Sequence, residues 1–360
     1  MDLRTSSEAI HLHRSKEDRG ICSDVNGSAM KPIIAITIGD FNGIGPEIAL
    51  KSAFHPTVKR ICTPLLVGPL NVFDHVRKQF RLKVKLEKAL FPAIPKSALP
   101  IVDIGDGIWA DVQYGQVTRA GGRSAGAAIE HAVALCQAGE AAGMVTAPVS
   151  KEALTLAGYS FPGQTEMIAL LSRSLRFAMM LVSDKMRIGL ITTHLPLGAV
   201  PTNLSMERVH EKISVVHEAL QRDYRIRKPR IAVLALNPHA GEGGMLGNEE
   251  MEIIIPSLDQ LKSDGIAAEG PFAADAFFGT HQYERFDAVM AMYHDQGLIP
   301  MKMTGFEKGV NFSAGLQIVR TSPDHGTAFD IAGKGKANIA SMVEAIKLAV
   351  LFSRNRTRGT

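Results

Sequence analysis

The sequence predicts an α/β protein with two lobes and mostly parallel sheets. Short apolar runs rich in β-branched residues alternate with amphipathic helical stretches along most of the chain, a pattern typical of parallel sheets covered by helices. Polar residues follow directly after several of these runs, where open α/β sheets bind their ligands. The chain of 360 residues is also long for a single hydrophobic core. We therefore expect the active site in a cleft between the lobes.

Composition excludes several classes of protein. The formal charge of +4 is small for this length and does not support nucleic-acid binding. The cysteines Cys22, Cys62 and Cys136 lie far apart, which excludes a cysteine-based zinc site and a disulfide framework and suits a reducing compartment. No apolar run reaches the roughly 18 residues of a membrane span, and residues 1–29 lack the hydrophobic core of a signal peptide. We expect a cytoplasmic protein, in which residues 1–29 are a disordered tail or reflect an upstream start choice.

The first half of the chain begins with a β-branched strand at Pro32–Ile38, covered on both faces. The loop GDFNGIGPE then leads into a helix over Ile48–Phe54, with Pro46 in its first turn. The loop lacks GxGxxG, and no acidic residue closes a second strand about twenty positions later, so an ordinary Rossmann site is not supported. The same patterns predict strands at Leu65–Val67, Ile101–Ile104 and Gly143–Thr146, and helices at Val72–Lys88 and residues 122–139.

In the second half, Ser150 is expected to cap a short helix that ends at Gly158. Thr165 is expected to cap the next helix, from Met167 to about Leu175, whose first N–H groups could bind an anion. The remaining predicted elements are strands at Met179–Val182, Ile188–Thr192, Ile231–Leu236 and Ala288–Met292, and helices at residues 205–222, Glu249–Lys262 and Ala340–Phe352.

The stretch from Asp287 to Asn338 carries the strongest functional signal. A buried strand ends in Tyr-His-Asp-Gln-Gly, and single cationic or amide residues follow at even intervals, at Lys302, Asn311 and Arg320. Arginine and lysine among glycines suit a phosphate or a carboxylate, the first in bidentate fashion and the second as a point charge. This stretch therefore predicts a binding site for a small anionic molecule.

Three histidines occupy equivalent places in the predicted sheet. His194, His239 and His294 each lie one to three residues beyond the end of a predicted strand. Taken singly, each is more often a hydrogen-bonded loop histidine, but together the strands would bring the imidazoles to one rim. Three neutral imidazoles form a divalent-metal site with open positions. A metal there could activate a substrate hydroxyl for loss of hydride, and nicotinamide is the usual hydride acceptor.

Over about Lys31–Phe352 the chain resembles the 4-hydroxythreonine-4-phosphate dehydrogenase family of pyridoxal phosphate biosynthesis. The motifs that carry the resemblance are GDFNGIGPE, VTAPVSKEAL, GQTE, TTHLPL, LNPHAGEGG, MAMYHDQG and GVNFSAGLQIVRTSPDHGTAFDIAG. The resemblance implies a fold like that of isocitrate and isopropylmalate dehydrogenases. It also implies a homodimer with a divalent metal (Zn, Mg or Co) at the interface, held by His194, His239 and His294.

The same resemblance implies residue roles. The substrate contacts would be Gln164, Thr165, Lys302, Asn311 and Arg320. The contacts to NAD or NADP would be His325, Gly326, Thr327 and Asn338. The hydroxyl proton would go to Lys302, or to Asp275 through a metal-ligand histidine. We expect residues 30–150 with 325–360 to form the lobe with cofactor contacts, and residues 151–324 to form the lobe with metal, substrate and dimer contacts.

The implied reaction oxidises the C3 hydroxyl of 4-phosphooxy-L-threonine to 2-amino-3-oxo-4-phosphooxybutanoate, which loses CO2 to give 3-amino-2-oxopropyl phosphate. Gln164 departs from the pattern, because the family has His at this position. Glutamine cannot become a cation near neutral pH. It would weaken phosphate binding or shift its pH dependence, or mark a related substrate such as D-threonate or D-erythronate 4-phosphate. Two further alternatives are a phosphate acyltransferase of related fold and a non-catalytic phosphate-binding paralogue.

Overall fold

A computed structural model describes residues 31–91, 93–95, 97–105, 111–161 and 163–358. Lys31–Thr360 forms one compact unit. The predicted tail, residues 1–29, lies outside the described residues, and the assignment of residues to two lobes stays a prediction. None of the helices described is both long and apolar enough to cross a lipid bilayer.

Twelve strands in the described part of the chain form one sheet, in the order β3-β4-β2-β1-β5-β12-β11-β6-β7-β10-β8-β9. The strands are β1 (Ile33–Thr37), β2 (Thr63–Val67), β3 (Leu86–Lys88), β4 (Leu99–Val102), β5 (Gly143–Thr146), β6 (Ala178–Val182), β7 (Arg187–Leu190), β8 (Arg230–Leu234), β9 (Ala267–Phe272), β10 (Ala288–Ala291), β11 (Val310–Ala314) and β12 (Arg320–Pro323). Among the described pairings, those of β11 with β6 and β12 and of β6 with β7 are antiparallel, and the others are parallel. The prediction of a mostly parallel α/β sheet is confirmed.

The α-helices cover both faces of this sheet and connect its parallel strands. They are α1 (Gly45–Phe54), α2 (Pro56–Ile61), α3 (Leu70–Gln79), α4 (Arg119–Gln137), α5 (Lys151–Leu156), α6 (Gln164–Leu171), α7 (Met206–Arg222), α8 (Ile255–Ser263), α9 (Ala274–Gly279), α10 (His294–Gly305) and α11 (Ala340–Thr357). Because helices pack on both faces, central strands such as β5 and β10 are buried at every residue. Their near-continuous apolar sequences are the reason they were predictable.

The predicted helix Val72–Lys88 is wrong in its second part. Helix α3 ends at Gln79, and Arg81 has a left-handed φ of 51°, which turns the chain away from the helix axis. The sequence KVKLEK that follows alternates charged and apolar residues, the period of a strand, and its end forms β3 on the edge of the sheet.

Other elements also differ from the sequence predictions. Thr165 is not the N-cap of its helix: Gly163 takes that position and Thr165 lies in the first turn of α6. The predicted helix Glu249–Lys262 begins as a π-helix at Glu250–Ile254 before α8. The strands β6, β7, β8 and β10 lie where apolar runs predict them. Strands β9, β11 and β12 were not predicted, since their sequences mix glycine, proline and polar residues.

One buried ion pair joins the ends of two long helices. The carboxylate of Asp223, fully buried after α7, lies 2.6 Å from Nε of Arg356 on α11. The guanidinium of Arg356 also donates to the backbone carbonyls of Leu316 and Gln317. The Asn355 amide donates to the carbonyl of Asp223 at 2.7 Å. These contacts fasten α11 to the helical layer over β11.

Replacing Asp223 with Asn should destabilise the protein strongly. The substitution keeps the shape of the side chain but removes the charge that faces both the mostly buried Arg356 and the half-exposed Arg222; breaking a fully buried pair typically costs about 3–5 kcal/mol, which is the upper bound here. The free energy of unfolding, measured in urea, checks this. The matched control is Asp74→Asn, which weakens a half-exposed pair with Arg77 and should cost less than about 1 kcal/mol. Equal losses in both variants would contradict the assignment.

Candidate functional site

A cavity of about 700 Å³ opens where β11 and β12 run beside the ends of β5 and β7. It brings together many residues that the sequence predicts for the site, from separate parts of the chain. These are Gln164, Thr165, His194, His294, Lys302, Asn311, Arg320 and His325. The remaining predicted residues, Asp275, His239, Gly326, Thr327 and Asn338, do not line this cavity.

Arg320 is the most deeply buried charged group of the cavity, with 1% of its surface exposed. Its guanidinium donates to the hydroxyls of Thr146 at 2.8 Å, Ser313 at 2.9 Å and Thr165 at 3.2 Å. Burial lowers the pKa of Arg320 to about 10, and the nearby Glu166 carboxylate opposes that shift. The side chain therefore remains a cation at neutral pH. Since these partners are neutral hydroxyls, an anion entering the cavity would bind it strongly.

Three polar atoms at the cavity lack hydrogen-bond partners among the described residues. They are Oε1 of Gln164, Oδ1 of Asn311 and Nε2 of His325, and all three are buried. Buried polar atoms nearly always have a partner in the protein or in a ligand or water. An amide can present either its oxygen or its nitrogen by a flip, so Gln164 and Asn311 can each accept from or donate to a ligand. The cavity is therefore built for a polar, anionic molecule.

His194 and His294 lie side by side at one end of the cavity. Their ring centroids are 5.4 Å apart, because β7 and β10 are neighbouring parallel strands. Nδ1 of His294 is 2.7 Å from a carboxylate oxygen of Asp295, which leaves Nε2 for a ligand. Metal-binding histidines commonly have such a carboxylate partner. Burial is the main cause that lowers the pKa of His194, with Lys151 and His294 adding to it, and this favours the neutral, metal-binding form.

His239 lies apart from this pair. It is exposed and begins a left-handed turn after β8. Among the described residues of the single chain, no three His, Cys, Asp or Glu side chains are arranged to hold a metal ion. The pair His194 and His294 fits a metal by its chemistry, whereas His239 of the same chain does not line their cavity. The three-histidine metal centre stays a prediction.

The other predicted residues outside the cavity have separate surroundings. Asp275 is exposed in the first turn of α9. The carbonyl of Thr327 accepts a hydrogen bond from the backbone N–H of Ile44, which joins the segment after β12 to the loop after β1. The side chain of Asn338 accepts from the N–H of Ala340, at the start of α11. Gly326 is exposed next to His325. The cofactor contacts assigned to these residues stay predictions.

The structure also places residues at the site that the sequence predictions omit. Thr146 and Ser313 hold Arg320, and Thr146 closes β5, so the rule on carboxyl ends of parallel strands could have found it. Lys151 and Glu166 line the cavity beside the predicted residues. The start of α7 forms one wall of the cavity. Its charged residues were not predicted, because in sequence they look like the solvent-exposed face of any surface helix. Its lining residues are Glu207, Arg208, Glu211 and Lys212.

Comparisons with known proteins identify relatives in the family that the sequence motifs resemble. The family model of the pyridoxal phosphate biosynthetic protein PdxA matches residues 60–349. A 4-hydroxythreonine-4-phosphate dehydrogenase from Trichlorobacter lovleyi is 42% identical over 332 residues, covering 91% of this chain and 99% of that protein. A putative D-threonate 4-phosphate dehydrogenase from Oceanobacillus iheyensis is 41% identical, with 89% of this chain and 97% of that protein covered.

A solved structure supports the same relationship. The crystal structure of 4-hydroxythreonine-4-phosphate dehydrogenase from Klebsiella pneumoniae superposes with a TM-score of 0.80 at 38% identity. The match covers 91% of this chain and 99% of that one. Since the relatives are dehydrogenases, the expectation of an oxidoreductase is confirmed, as is the resemblance carried by the motifs. The chain belongs to the PdxA family of pyridoxal phosphate biosynthetic proteins.

Proposed function

We propose that this protein is an NAD(P)-dependent 4-hydroxythreonine-4-phosphate dehydrogenase. It would oxidise the C3 hydroxyl of 4-phosphooxy-L-threonine to the ketone, and the resulting β-keto acid would lose CO2 to give 3-amino-2-oxopropyl phosphate. One observation carries the proposal. A buried cation, Arg320, lies near amide groups with unpartnered atoms, in the same cavity as a pair of imidazoles, in a chain of this dehydrogenase family.

The cavity residues have distinct tasks in this proposal. Arg320 and Lys302 neutralise the phosphate and the carboxylate of the substrate, while Thr165 hydrogen-bonds to the buried guanidinium and keeps it in place. The amides of Gln164 and Asn311 orient the polar groups between the two anions. Lys302 is our first choice as acceptor of the hydroxyl proton, which it would take up as a neutral amine and so become the cation that faces the substrate anions. Asp275, acting through a metal-ligand histidine, is the second. Holding the substrate in one orientation supplies much of the rate enhancement.

We further propose a homodimer in which His194 and His294 of one copy and His239 of the other hold a divalent metal (Zn, Mg or Co). A bound metal would supply Lewis-acid polarisation of a substrate oxygen. Apolar side chains are exposed next to both halves of this site. Met245 follows the turn that carries His239 and is 82% exposed, and Met303 on α10 is also 82% exposed. Exposed apolar surface at these places supports a protein–protein contact.

The cofactor in this proposal is NAD or NADP, and its nicotinamide would accept the hydride. His325 lines the cavity and its buried Nε2 has no partner among the described residues, which supports the proposal that this segment contacts the cofactor. Gly326, Thr327 and Asn338 would contact that remaining part.

A second candidate substrate is D-threonate or D-erythronate 4-phosphate, in which a hydroxyl replaces the amine. Gln164 favours it, because the family resemblance gives His at this position and because one relative is a putative D-threonate 4-phosphate dehydrogenase. To decide between the two, kcat/KM is measured from NADH production with 4-phosphooxy-L-threonine and with D-threonate 4-phosphate. A higher value for D-threonate 4-phosphate would replace the first candidate by the second.

Replacing Arg320 with Lys should lower kcat/KM about 100-fold, mostly through KM. Lysine cannot keep the planar set of hydrogen bonds to three hydroxyls while it faces an anion, and charged hydrogen bonds contribute about 1.5–3 kcal/mol each. Steady-state kinetics, together with a melting curve to show that the variant is folded, check this. The exposed Arg285→Lys variant should stay within about twofold of the parent. An unchanged KM would exclude Arg320 from the anion site.

Replacing Gln164 with His should give substrate binding a new pH dependence. An imidazole of pKa about 6.5 is a cation below that pH and neutral above it, so it would attract a substrate anion only on the acidic side. We expect kcat/KM of the variant, relative to the parent, to be about tenfold higher at pH 6 than at pH 8. Gln164→Asn, which stays neutral, should show no such change. A flat ratio for Gln164→His would mean that residue 164 does not face the anion.

The shared metal site predicts complementation between inactive variants. His239→Ala and His194→Ala should each abolish turnover, and chelation of the parent should do the same. Mixed by co-refolding, the two variants form heterodimers in which one of the two sites has all three imidazoles, so about a quarter of parental activity should return. His281→Ala, an exposed histidine with a similar φ of 56°, is the control and should be fully active. Failure of the mixture to recover activity would exclude a site shared between subunits.

A further inference from the structure

The chain that carries His239 has an unusual backbone. Five consecutive residues, 239–243, have left-handed φ angles, beginning with His239 at φ 52° and ψ 29°. Ala240 and Glu242 also adopt this conformation without being glycine. Side chains of L-amino acids disfavour this conformation sterically, so left-handed residues other than glycine are uncommon and occur singly rather than in runs. Such a turn persists only where surrounding contacts hold it in place.

A buried carboxylate provides those contacts. Oε1 of Glu250 accepts hydrogen bonds from the backbone N–H groups of Leu236 and Asn237, both at 2.8 Å. Its Oε2 accepts from the side-chain amide of Asn237 at 2.9 Å. Glu250 is 1% exposed, so these bonds are shielded from water. The Asn237 amide also donates to Glu249 at 2.7 Å, but both backbone N–H groups donate to Glu250. The two residues lead directly into the turn, so Glu250 holds the backbone at its entrance.

The turn is also packed against this carboxylate. A Cβ atom placed on Gly241 would lie 2.6 Å from Oε2 of Glu250, too close for any side chain. A Cβ atom on Gly243, two residues later, would meet nothing within 4 Å. Glu250 itself begins the π-helix Glu250–Ile254, an irregularity common at functional sites. The carboxylate of Glu250 therefore lies against the turn at Gly241 and not at Gly243.

We propose that Glu250 is a positioning residue, whose carboxylate holds the left-handed turn so that His239 projects from the protein surface towards a metal ion bound by another copy of the chain. This inference rests on the proposed function. His239 is exposed and has no place in the cavity of its own chain. An exposed imidazole becomes a good ligand for a distant partner only if its backbone is rigid. The buried carboxylate of Glu250 holds Asn237, two residues before His239, and so supplies that rigidity.

The experiment measures zinc binding by the full-length protein, in competition with a chromophoric chelator, without substrate or cofactor. Glu250→Ala should weaken zinc binding by about 10- to 100-fold, the usual effect of removing a supporting partner of a ligand. Glu250→Gln keeps an oxygen that can accept from both N–H groups and should lose less. The control is Glu252→Ala, an exposed glutamate on the same π-helix, which should bind zinc like the parent.

Hydrogen exchange provides a second measurement that does not depend on the metal. In Glu250→Ala the backbone amides of Leu236 and Asn237 should exchange about tenfold faster than in the parent or in Glu252→Ala. If Glu250→Ala does not fold, a pair of glycine variants replaces it. Gly241→Ala pushes against the carboxylate and should weaken zinc binding, whereas Gly243→Ala has the same type of backbone strain without that contact and should weaken it much less.

The outcomes separate this inference from the proposed function. A parent protein that binds zinc, with Glu250→Ala or Gly241→Ala binding it within twofold, would overturn the role of Glu250 alone. A parent protein that binds none of Zn, Mg and Co when each is tested in turn, or a fully active His239→Ala variant, would overturn the metal site and the positioning role together. Equal weakening by Gly241→Ala and Gly243→Ala would show that backbone strain, not contact with Glu250, sets the position of His239.

Discussion

The arrangement of the site depends on hydrogen bonds that fasten the ends of β7, β10 and β8 to one another. The hydroxyl of Thr192 donates to the carbonyl of Met292 at 2.7 Å. The N–H of Met292 donates to the Gln296 side chain, which in turn donates to the carbonyl of Ala235 at 2.6 Å. These strands lead to His194, His294 and the turn with His239. Because neutral hydrogen bonds join the strand ends across the sheet, they fix where the segments that carry the three imidazoles begin.

Much of the sheet could be predicted from sequence because its central strands are covered on both faces. Burial at every residue leaves a continuous apolar run, as in Ala288–Ala291, and such runs identify β1, β5, β8 and β10. Strands β11 and β12 lack this signal, since they place Asn311, Ser313 and Arg320 towards the cavity. The same polar residues that indicated a binding site therefore concealed the strands that carry them.

The site itself was only partly predictable, for a related reason. Residue type and regular spacing were enough to predict that Lys302, Asn311 and Arg320 line one site, and all three line the cavity. The position of His239 could not be predicted in this way, because it follows from a run of left-handed residues that depends on a glutamate eleven positions later in the chain. Local patterns describe strands and helices well. They do not describe a backbone conformation that exists only through a tertiary hydrogen bond.

The two halves of the proposed site place different demands on the fold. Arg320 is held inside the chain by Thr146, Ser313 and Thr165, so the anion site is complete in a single copy. Among the described residues, only the nearby Glu166 carboxylate opposes the desolvated charge of Arg320, and this favours anionic ligands in the cavity. The imidazoles, by contrast, divide between the cavity and an exposed turn. Substrate binding would then need only one chain, whereas oxidation would need two, and assembly of the dimer would become a condition for catalysis rather than for recognition.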